Sequence, residues 1–135
     1  MSTKTHFAAI PPRTEKVTKK ILDAAFKVHT SLGPGILESV YETCLTHEPK
    51  LNGLKVERQD SIPVIYEDIT VDSGLRLDLL IEKCVIVEIK AVVKIIPLCK
   101  AQLLTYMKLT KMRIGLLLNF NTIYLRDGIN HLVIL

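Results

Sequence analysis

Residues 84–94 read CVIVEIKAVVK, an apolar run that predicts a buried β-strand but contains two opposite charges, Glu88 and Lys90. Side chains of a strand alternate between its two faces, so Glu88 and Lys90 share one face. On a half-exposed strand they would form a solvated ion pair that contributes about 0–1 kcal/mol. Ile86 and Val92 share that face, however, which indicates that it is partly covered. A covered charge is costly unless it is paired or binds a metal, so a structural and a functional interpretation both stand.

The preceding segment, LRLDLLIE at residues 75–82, places a further acid, Asp78, among leucines. If the two segments pair as an antiparallel hairpin through residues 82–84, Asp78 lies opposite Glu88, and opposite residues face the same side. Two adjacent carboxylates repel unless a proton or a cation lies between them, and oxygen ligands suit Mg²⁺ or Mn²⁺ better than zinc. A two-residue turn would shift the register and turn Asp78 to the other face.

The composition is that of one globular domain. The chain has 135 residues, of which 48% are hydrophobic and 24% are charged, close to the average of globular proteins. Aromatic residues make up only 5% and Trp is absent, which argues against a surface of aromatic rings that stacks bases. The net charge of +4 and the pI of about 9.0 permit a polyanionic partner without requiring one.

The sequence predicts a cytoplasmic protein without a membrane partner. Cys44, Cys84 and Cys99 form no CxxC pair and have no histidine at metal-ligand spacing, so neither a disulfide framework nor a zinc site is expected. Free thiols fit a reducing cytosol. The N-terminal residues lack the apolar segment of a signal peptide, and no apolar run approaches the roughly 18 residues of a membrane span.

Local patterns divide the chain into a flexible N-terminal arm over residues 1–13 and a single domain over residues 14–135. The first predicted element is a helix over 14–31, with Thr14 as its N-cap and Gly33-Pro34-Gly35 at its end. A second helix begins at Ile36 and ends or kinks at Pro49. An edge or bulged strand that contains Pro63 begins at Leu54. A turn at Glu67-Asp68 leads to a strand over 69–82, a strand over 85–91, a helix over 98–110, a buried strand over 113–120, and a terminal hairpin over 122–135 with its turn at Asp127-Gly128. The order ααβββαββ predicts an α/β (α+β) fold with a mixed β-sheet flanked by helices.

Three blocks of the sequence together resemble one family. Asp78, nine intervening residues and then Glu88-Ile89-Lys90 match the D-Xn-(D/E)-X-K pattern of the PD-(D/E)XK nuclease superfamily. The block LGPGILESVYETCL at residues 32–45 resembles the GxxExxY signature, with Gly35, Glu38 and Tyr41 at its defining positions. Residues 76–92 and 101–121 resemble the middle and the end of the small GxxExxY proteins, and the likeness extends from about Thr14 to Gly128.

The resemblance implies a restriction-endonuclease-like core and a metal-dependent nuclease that hydrolyses phosphodiester bonds of nucleic acid, with DNA favoured over RNA. It assigns Asp78 and Glu88 as ligands of Mg²⁺ or Mn²⁺ and lets Glu38 reach the metal through its shell. An acid in the first turn of a helix is also favoured by the helix dipole, so a structural role for Glu38 stands beside this one.

Other residues follow from the same resemblance. Lys90 is expected to hold the scissile phosphate and to stabilise the attacking water or the developing charge, and Gln102 to orient the substrate or Lys90. Tyr106, four residues further on the same helix face, and Tyr41 are candidates for the substrate side, with a place in the core as their alternative. The chain departs from its relatives at Pro49, where an uninterrupted helix is usual, and at Cys99-Lys100, where His-Glu is common.

Two other functions stay open on the sequence. A nuclease-like module that binds nucleic acid or a protein without cutting is favoured by the small size, because no separate DNA-grasping domain is visible. A structural or oligomeric protein is favoured by the apolar C-terminal segment HLVIL at residues 131–135, whose strand edge could pair between chains as a homodimer.

Overall fold

The computed structural model describes residues 9–135. Its elements in chain order are α1 (Pro12–Leu32), α2 (Glu38–Leu51), β1 (Val56–Tyr66), β2 (Ile69–Ile81), β3 (Val85–Lys90), α3 (Pro97–Thr110), β4 (Ile114–Asn119), a 3-10 helix (Leu125–Gly128) and β5 (Ile129–Val133). The predicted order of helices and strands is confirmed. Within this part of the chain, none of the helices combines the length and hydropathy that crossing a bilayer requires.

One mixed sheet organises the domain, with its strands in the order β1-β2-β3-β4-β5. The β3–β4 pair is parallel, with α3 as the crossover between the two strands, and the other neighbouring pairs are antiparallel. Both parallel strands are almost completely buried, because helices cover both faces of the sheet at its centre. This explains why VIVEIK and IGLLLN are nearly continuous apolar runs.

Two separate hydrophobic clusters hold the layers together. The first, called the α1–α2 cluster, packs those helices on one face of the sheet and includes Ile21, Leu45, Leu79, Val87, Ile89 and Leu116. The second, called the α3 cluster, fills the opposite face and includes Ile62, Leu77, Leu80, Ile86, Leu103, Tyr106 and Met107. The alternation of Val87 and Ile89 with Ile86 shows that successive residues of β3 pack into opposite clusters.

The loop between β2 and β3 has three residues, Glu82 to Cys84, as the hairpin hypothesis required. Glu82 and Lys83 adopt positive φ values of 52° and 53°. The strands pair as Ile81↔Val85, Leu80↔Ile86 and Leu79↔Val87. This register puts Asp78 next in line opposite Glu88.

The β1–β2 hairpin extends beyond the rest of the sheet. β1 is an edge strand whose register shifts between Ile62 and Pro63, which confirms the predicted bulge. The predicted turn at residues 67–68 joins Tyr66 to Ile69. Both of these residues are exposed, so the hairpin tip lacks the cover that the centre of the sheet has.

The first helix starts earlier than predicted. It begins at Pro12 and its N-cap is Pro11, so the expectation that Thr14 caps the helix is wrong. Proline suits the first helical turn, where its missing N–H has no partner to lose. Thr14 is buried inside the helix, and its carbonyl accepts a hydrogen bond from the Thr18 hydroxyl. Ile10 already packs against the α1–α2 cluster, and residues 12 and 13 of the predicted arm belong to α1. Residues 1–8 of that arm lie outside the described residues.

Two further boundaries differ from expectation. α2 continues through Pro49 to Leu51, because a proline in the last turn removes only one backbone donor near the point where the helix ends anyway. The predicted terminal hairpin is wrong: Asp127-Gly128 belongs to the 3-10 helix, and the single strand β5 pairs with β4. Cys44, Cys84 and Cys99 are free thiols, as predicted.

Gly128 explains why residues 127–128 form no hairpin turn, because a Cβ at this position would clash with the Asn119 carbonyl oxygen. The glycine therefore allows close approach of two backbone segments. We expect Gly128→Ala to lower the free energy of unfolding by about 3 kcal/mol, since the backbone would have to move. Urea denaturation measures the loss. Asp127→Ala, at the exposed neighbouring position, is the control, and equal stability of both variants would contradict the steric argument.

Candidate active site

The strands β2 and β3 separate just where the two acids stand. Their ladder ends at the Leu79↔Val87 pair. Beyond it, the Asp78 N–H donates to Glu88 Oε2 at 2.8 Å, and the Ile89 N–H donates to Asp78 Oδ2 at 2.8 Å. Each carboxylate thus takes the place of a ladder carbonyl and accepts from the backbone of the opposite strand. The two acids are locked into the fork between the strands.

The fork is an unfavourable place for two negative charges. Glu88 is only 7% exposed. Burial, and next the charge of Asp78, raise the pKa of Glu88 to about 8, although Lys90 acts in the opposite direction. Burial also raises the pKa of Asp78, against the hydrogen bond from the Ile89 N–H. The site therefore has a strong electrostatic preference for a proton or a cation between its carboxylates.

Lys90 and Glu38 complete the cluster. Lys90 is the last residue of β3, and its positive charge lowers the pKa values of Glu38, Asp78 and Glu88 alike. Glu38 opens α2, and the nearby Ala91 backbone lowers the pKa of its carboxyl group. Burial, with Asp78 as a further cause, raises the pKa of Glu38. The structure thus brings together the three acids and the lysine that the sequence singled out.

Tyr41 has a different place. It is completely buried and stacks on Phe120 with ring centroids 4.6 Å apart. Its hydroxyl donates to the Gly33 carbonyl and accepts from the Ile36 N–H. Tyr41 therefore fixes the turn before α2, in which Gly35 has a φ of +89°. In the Gly35-Glu38-Tyr41 pattern, Gly35 allows the tight turn, Glu38 supplies the acid of the site, and the Tyr41 ring holds the turn in position.

The α3 helix contributes Tyr106 to the cluster. Tyr106 is buried in the α3 cluster, and burial followed by the charges of Glu88 and Asp78 raises its pKa. Its ring therefore lies on the side of the sheet to which Glu88 points. Gln102, one turn earlier on the same helix, has an exposed side chain. The structure brings Tyr106 into the field of the carboxylates, and the orienting role of Gln102 stays a prediction.

The donor set favours a hard cation with few protein ligands. Among residues 9–135, no group of three or more His, Cys, Asp and Glu side chains is arranged to hold a metal ion. Asp78 and Glu88 nevertheless offer carboxylate oxygens beside each other. Mg²⁺ is commonly bound by one or two carboxylates and keeps several of its waters. The two acids of the fork fit that requirement, and Glu38 lies within electrostatic reach of both.

Sequence reasoning missed Asn119, the last residue of β4. Its carboxamide accepts from the Val92 N–H at 3.1 Å and donates to the Val92 carbonyl at 2.9 Å. It thereby extends the β3–β4 pairing and fixes the segment that follows Lys90. Asn119 is 3% exposed. The signal available in the sequence was a polar amide at the end of the apolar run IGLLLN.

Sequence reasoning also missed three residues that approach Asp78 from β1 and α2, namely Glu42, Arg58 and Gln59. Gln59 donates to both Asp78 and Glu42, and Arg58 donates to Glu42. None of the three belongs to the D-Xn-(D/E)-X-K pattern. Nothing in their spacing along the chain indicates that they meet.

The mixed sheet with helices on both faces, and the acids at its central fork, define an α+β domain of the restriction-endonuclease-like type. The chain belongs to the PD-(D/E)XK nuclease superfamily, whose family model matches residues 15–132. No curated protein and no solved structure matches the chain significantly.

Proposed function

We propose that this protein is a metal-dependent nuclease of the GxxExxY type that hydrolyses phosphodiester bonds of nucleic acid, with DNA favoured over RNA. The observation that carries the proposal is the fork in which Asp78 and Glu88 are locked side by side with Lys90 at its open end. Membership of a nuclease superfamily supports the reaction class. The preference for DNA follows the sequence resemblance.

Asp78 and Glu88 would hold the metal, with Glu38 reaching it through a coordinated water. When bound, Mg²⁺ or Mn²⁺ supplies polarisation of the phosphoryl oxygen and a lowered pKa of a bound water. The high pKa of Glu88 means that its proton must leave before it can act as a ligand. Binding should therefore release protons and strengthen as the pH rises towards 8.

Lys90 supplies the positive charge that the chain itself brings to the reaction. Its ammonium group would hold a phosphate oxygen and stabilise negative charge that develops during attack. The hydrogen bonds of Asn119 to Val92 limit the movement of the backbone just after Lys90. Tyr106, buried and within the field of Glu88, would cover that side of the fork. These residues would thus keep Lys90 and the carboxylates of the fork in a fixed geometry, which catalysis requires.

Binding of the nucleic acid would rest on its phosphates. The net charge of +4 favours a polyanion, and contacts to phosphate are largely independent of sequence. Affinity should therefore fall with added salt. Cleavage of single- and double-stranded DNA and RNA, each with Mg²⁺ or Mn²⁺, identifies the substrate, and a preference for RNA would remove the DNA part of the proposal.

Metal binding can be tested apart from cleavage. We expect wild-type protein to bind Mn²⁺ at pH 8 in calorimetric titration and Asp78→Asn to lose at least about tenfold in affinity, because an amide cannot supply the negative charge of a ligand. Asp72→Asn, on the exposed part of β2, is the matched control and should bind as wild type does. Equal affinity of wild type and Asp78→Asn would contradict the assignment of the metal site.

A module that binds without cutting is the second candidate. It is favoured by the finding that, within residues 9–135, no group of three or more His, Cys, Asp and Glu side chains is arranged to hold a metal ion. Such a module would bind DNA in a gel-shift assay whether or not Mn²⁺ is present, and would leave it intact. Cleavage that depends on Mn²⁺ and on Glu88 would decide against it.

A further inference from the structure

The edge strand β1 is irregular opposite one of the candidate metal ligands. Gln59 is the single residue of β1 without a partner in the ladder with β2, and it lies across from Asp78. Gln59 has a φ of +50°, a left-handed conformation that non-glycine residues rarely adopt and that recurs at functional sites. Leu77 packs in the α3 cluster and Leu79 in the α1–α2 cluster, so the alternation of faces along β2 also breaks at Asp78.

The irregular backbone brings the Gln59 side chain between two carboxylates. Its Nε2 donates to Glu42 Oε1 at 2.9 Å and to Asp78 Oδ1 at 3.4 Å. A primary amide has two N–H donors on one nitrogen, so it can serve both acceptors at once. Gln59 is thus a neutral bridge between two negatively charged groups that would otherwise repel each other.

Glu42, the far end of this bridge, is itself held in place. It lies one helical turn after Glu38 on α2, and its side chain is only 13% exposed. Arg58 donates to Glu42 Oε2 from Nε at 3.2 Å and from Nη2 at 2.9 Å, and Nη2 also donates to the Thr43 hydroxyl at 3.2 Å. Hydrogen bonds between ionised groups are strong and directional, so Oε1 of Glu42 presents a fixed acceptor to Gln59.

We propose that Gln59, anchored by Glu42 and Arg58, is a positioning residue that fixes the carboxylate of Asp78 for metal binding. That a metal binds here rests on the proposed function, whereas the positioning of Asp78 by Gln59 rests only on the contacts described above. The Ile89 N–H holds Oδ2 of Asp78 and Gln59 holds Oδ1, so the two contacts fix the rotation of the carboxylate. Partners that orient a ligand in this way commonly change metal affinity or activity by about 10–100-fold.

Gln59→Gly is the informative variant. Glycine adopts a φ of +50° without strain, so the backbone of β1 keeps its shape while the amide is lost. Gln59→Asn keeps an amide and tolerates the same conformation, but it is one methylene shorter. It should therefore restore part of the lost function. Ser61→Gly, two residues further on the same exposed edge, is the matched control.

A first measurement needs neither metal nor substrate. The Ile89 amide donates to Asp78, so its hydrogen exchange reports directly on the position of that carboxylate. We expect about tenfold faster exchange at Ile89 in Gln59→Gly than in wild type, with the Ile86 amide, outside the fork, unchanged. Unchanged exchange at Ile89 would overturn the positioning role.

The second measurement is the affinity for Mn²⁺ by calorimetry. Gln59→Gly should bind at least about tenfold more weakly than wild type, with an unfolding temperature in EDTA that is no lower, and Gln59→Asn should be intermediate. In cleavage assays kcat should fall while KM for the nucleic acid is kept. Wild-type affinity in Gln59→Gly would overturn the inference. Absence of Mn²⁺ binding by wild type would instead overturn the proposed function, and exchange at Ile89 would then decide the positioning role alone.

Discussion

Glu88→Gln is expected to abolish cleavage, with a fall in kcat of roughly 10³-fold or more. The substitution keeps the shape of the side chain, and the amide oxygen can still accept from the Asp78 N–H. It removes the negative charge that a metal ligand in the fork must carry. The measurement is steady-state cleavage of the preferred nucleic acid with Mg²⁺ and with Mn²⁺.

The control for this prediction is Glu67→Gln, which makes the same chemical change at the exposed turn of the β1–β2 hairpin. It should cleave as wild type does. Gel-shift affinity for nucleic acid in EDTA should be the same for both variants, since phosphate contacts and not the fork are expected to hold the substrate. Cleavage by Glu88→Gln within about tenfold of wild type would remove Glu88 from the catalytic machinery.

The second large effect concerns stability without metal. Glu88 has a pKa of about 8 in the folded protein, against about 4.3 in an unfolded chain. Between these values folding takes up a proton, so the contribution of Glu88 to stability is fully present below the unfolded pKa and is lost as the pH rises through 8. Replacing Glu88 by glutamine removes this loss. Relative to wild type, we expect Glu88→Gln to gain on the order of 2–4 kcal/mol in unfolding free energy between pH 5 and pH 9.

Urea denaturation in EDTA at pH 5, 7 and 9 measures this difference. The comparison between wild type and Glu88→Gln cancels the titration of groups that the two proteins share. Glu67→Gln, whose side chain is exposed, should show the same difference from wild type at every pH. A difference between wild type and Glu88→Gln that does not change with pH would mean that Glu88 ionises normally in the folded protein.

Much of the fold was predictable because it follows from local chemistry. Periodicity identified the three helices, and turn residues separated the strands. The failures have local causes as well. At Thr14, a typical capping residue, the proline at position 12 starts the helix first. At Asp127-Gly128 the dipeptide is typical of a hairpin turn, but the glycine serves a close approach to Asn119 instead.

The candidate site was predictable only in part. Asp78, Glu88 and Lys90 stand out because charges in apolar strands conflict with their surroundings, and the register of one hairpin relates them. Glu42, Arg58 and Gln59 look like ordinary surface residues in the sequence. Their meeting depends on the crossing of α2 over β1 and on a backbone irregularity in β1. Such tertiary contacts have no periodic signature.

The loop from Glu82 to Cys84 has a consequence for how this protein can change over evolution. Lys83 is exposed at its centre, and a different amino acid there would touch nothing in the fork. The number of residues in the loop is constrained, because the side chains of a strand alternate with a period of two. Inserting or deleting one residue would turn every side chain of β3 to the opposite face of the sheet. Descendants of this chain are thus bound to keep the length of the loop, whereas its amino acids need only tolerate the positive φ at residues 82 and 83.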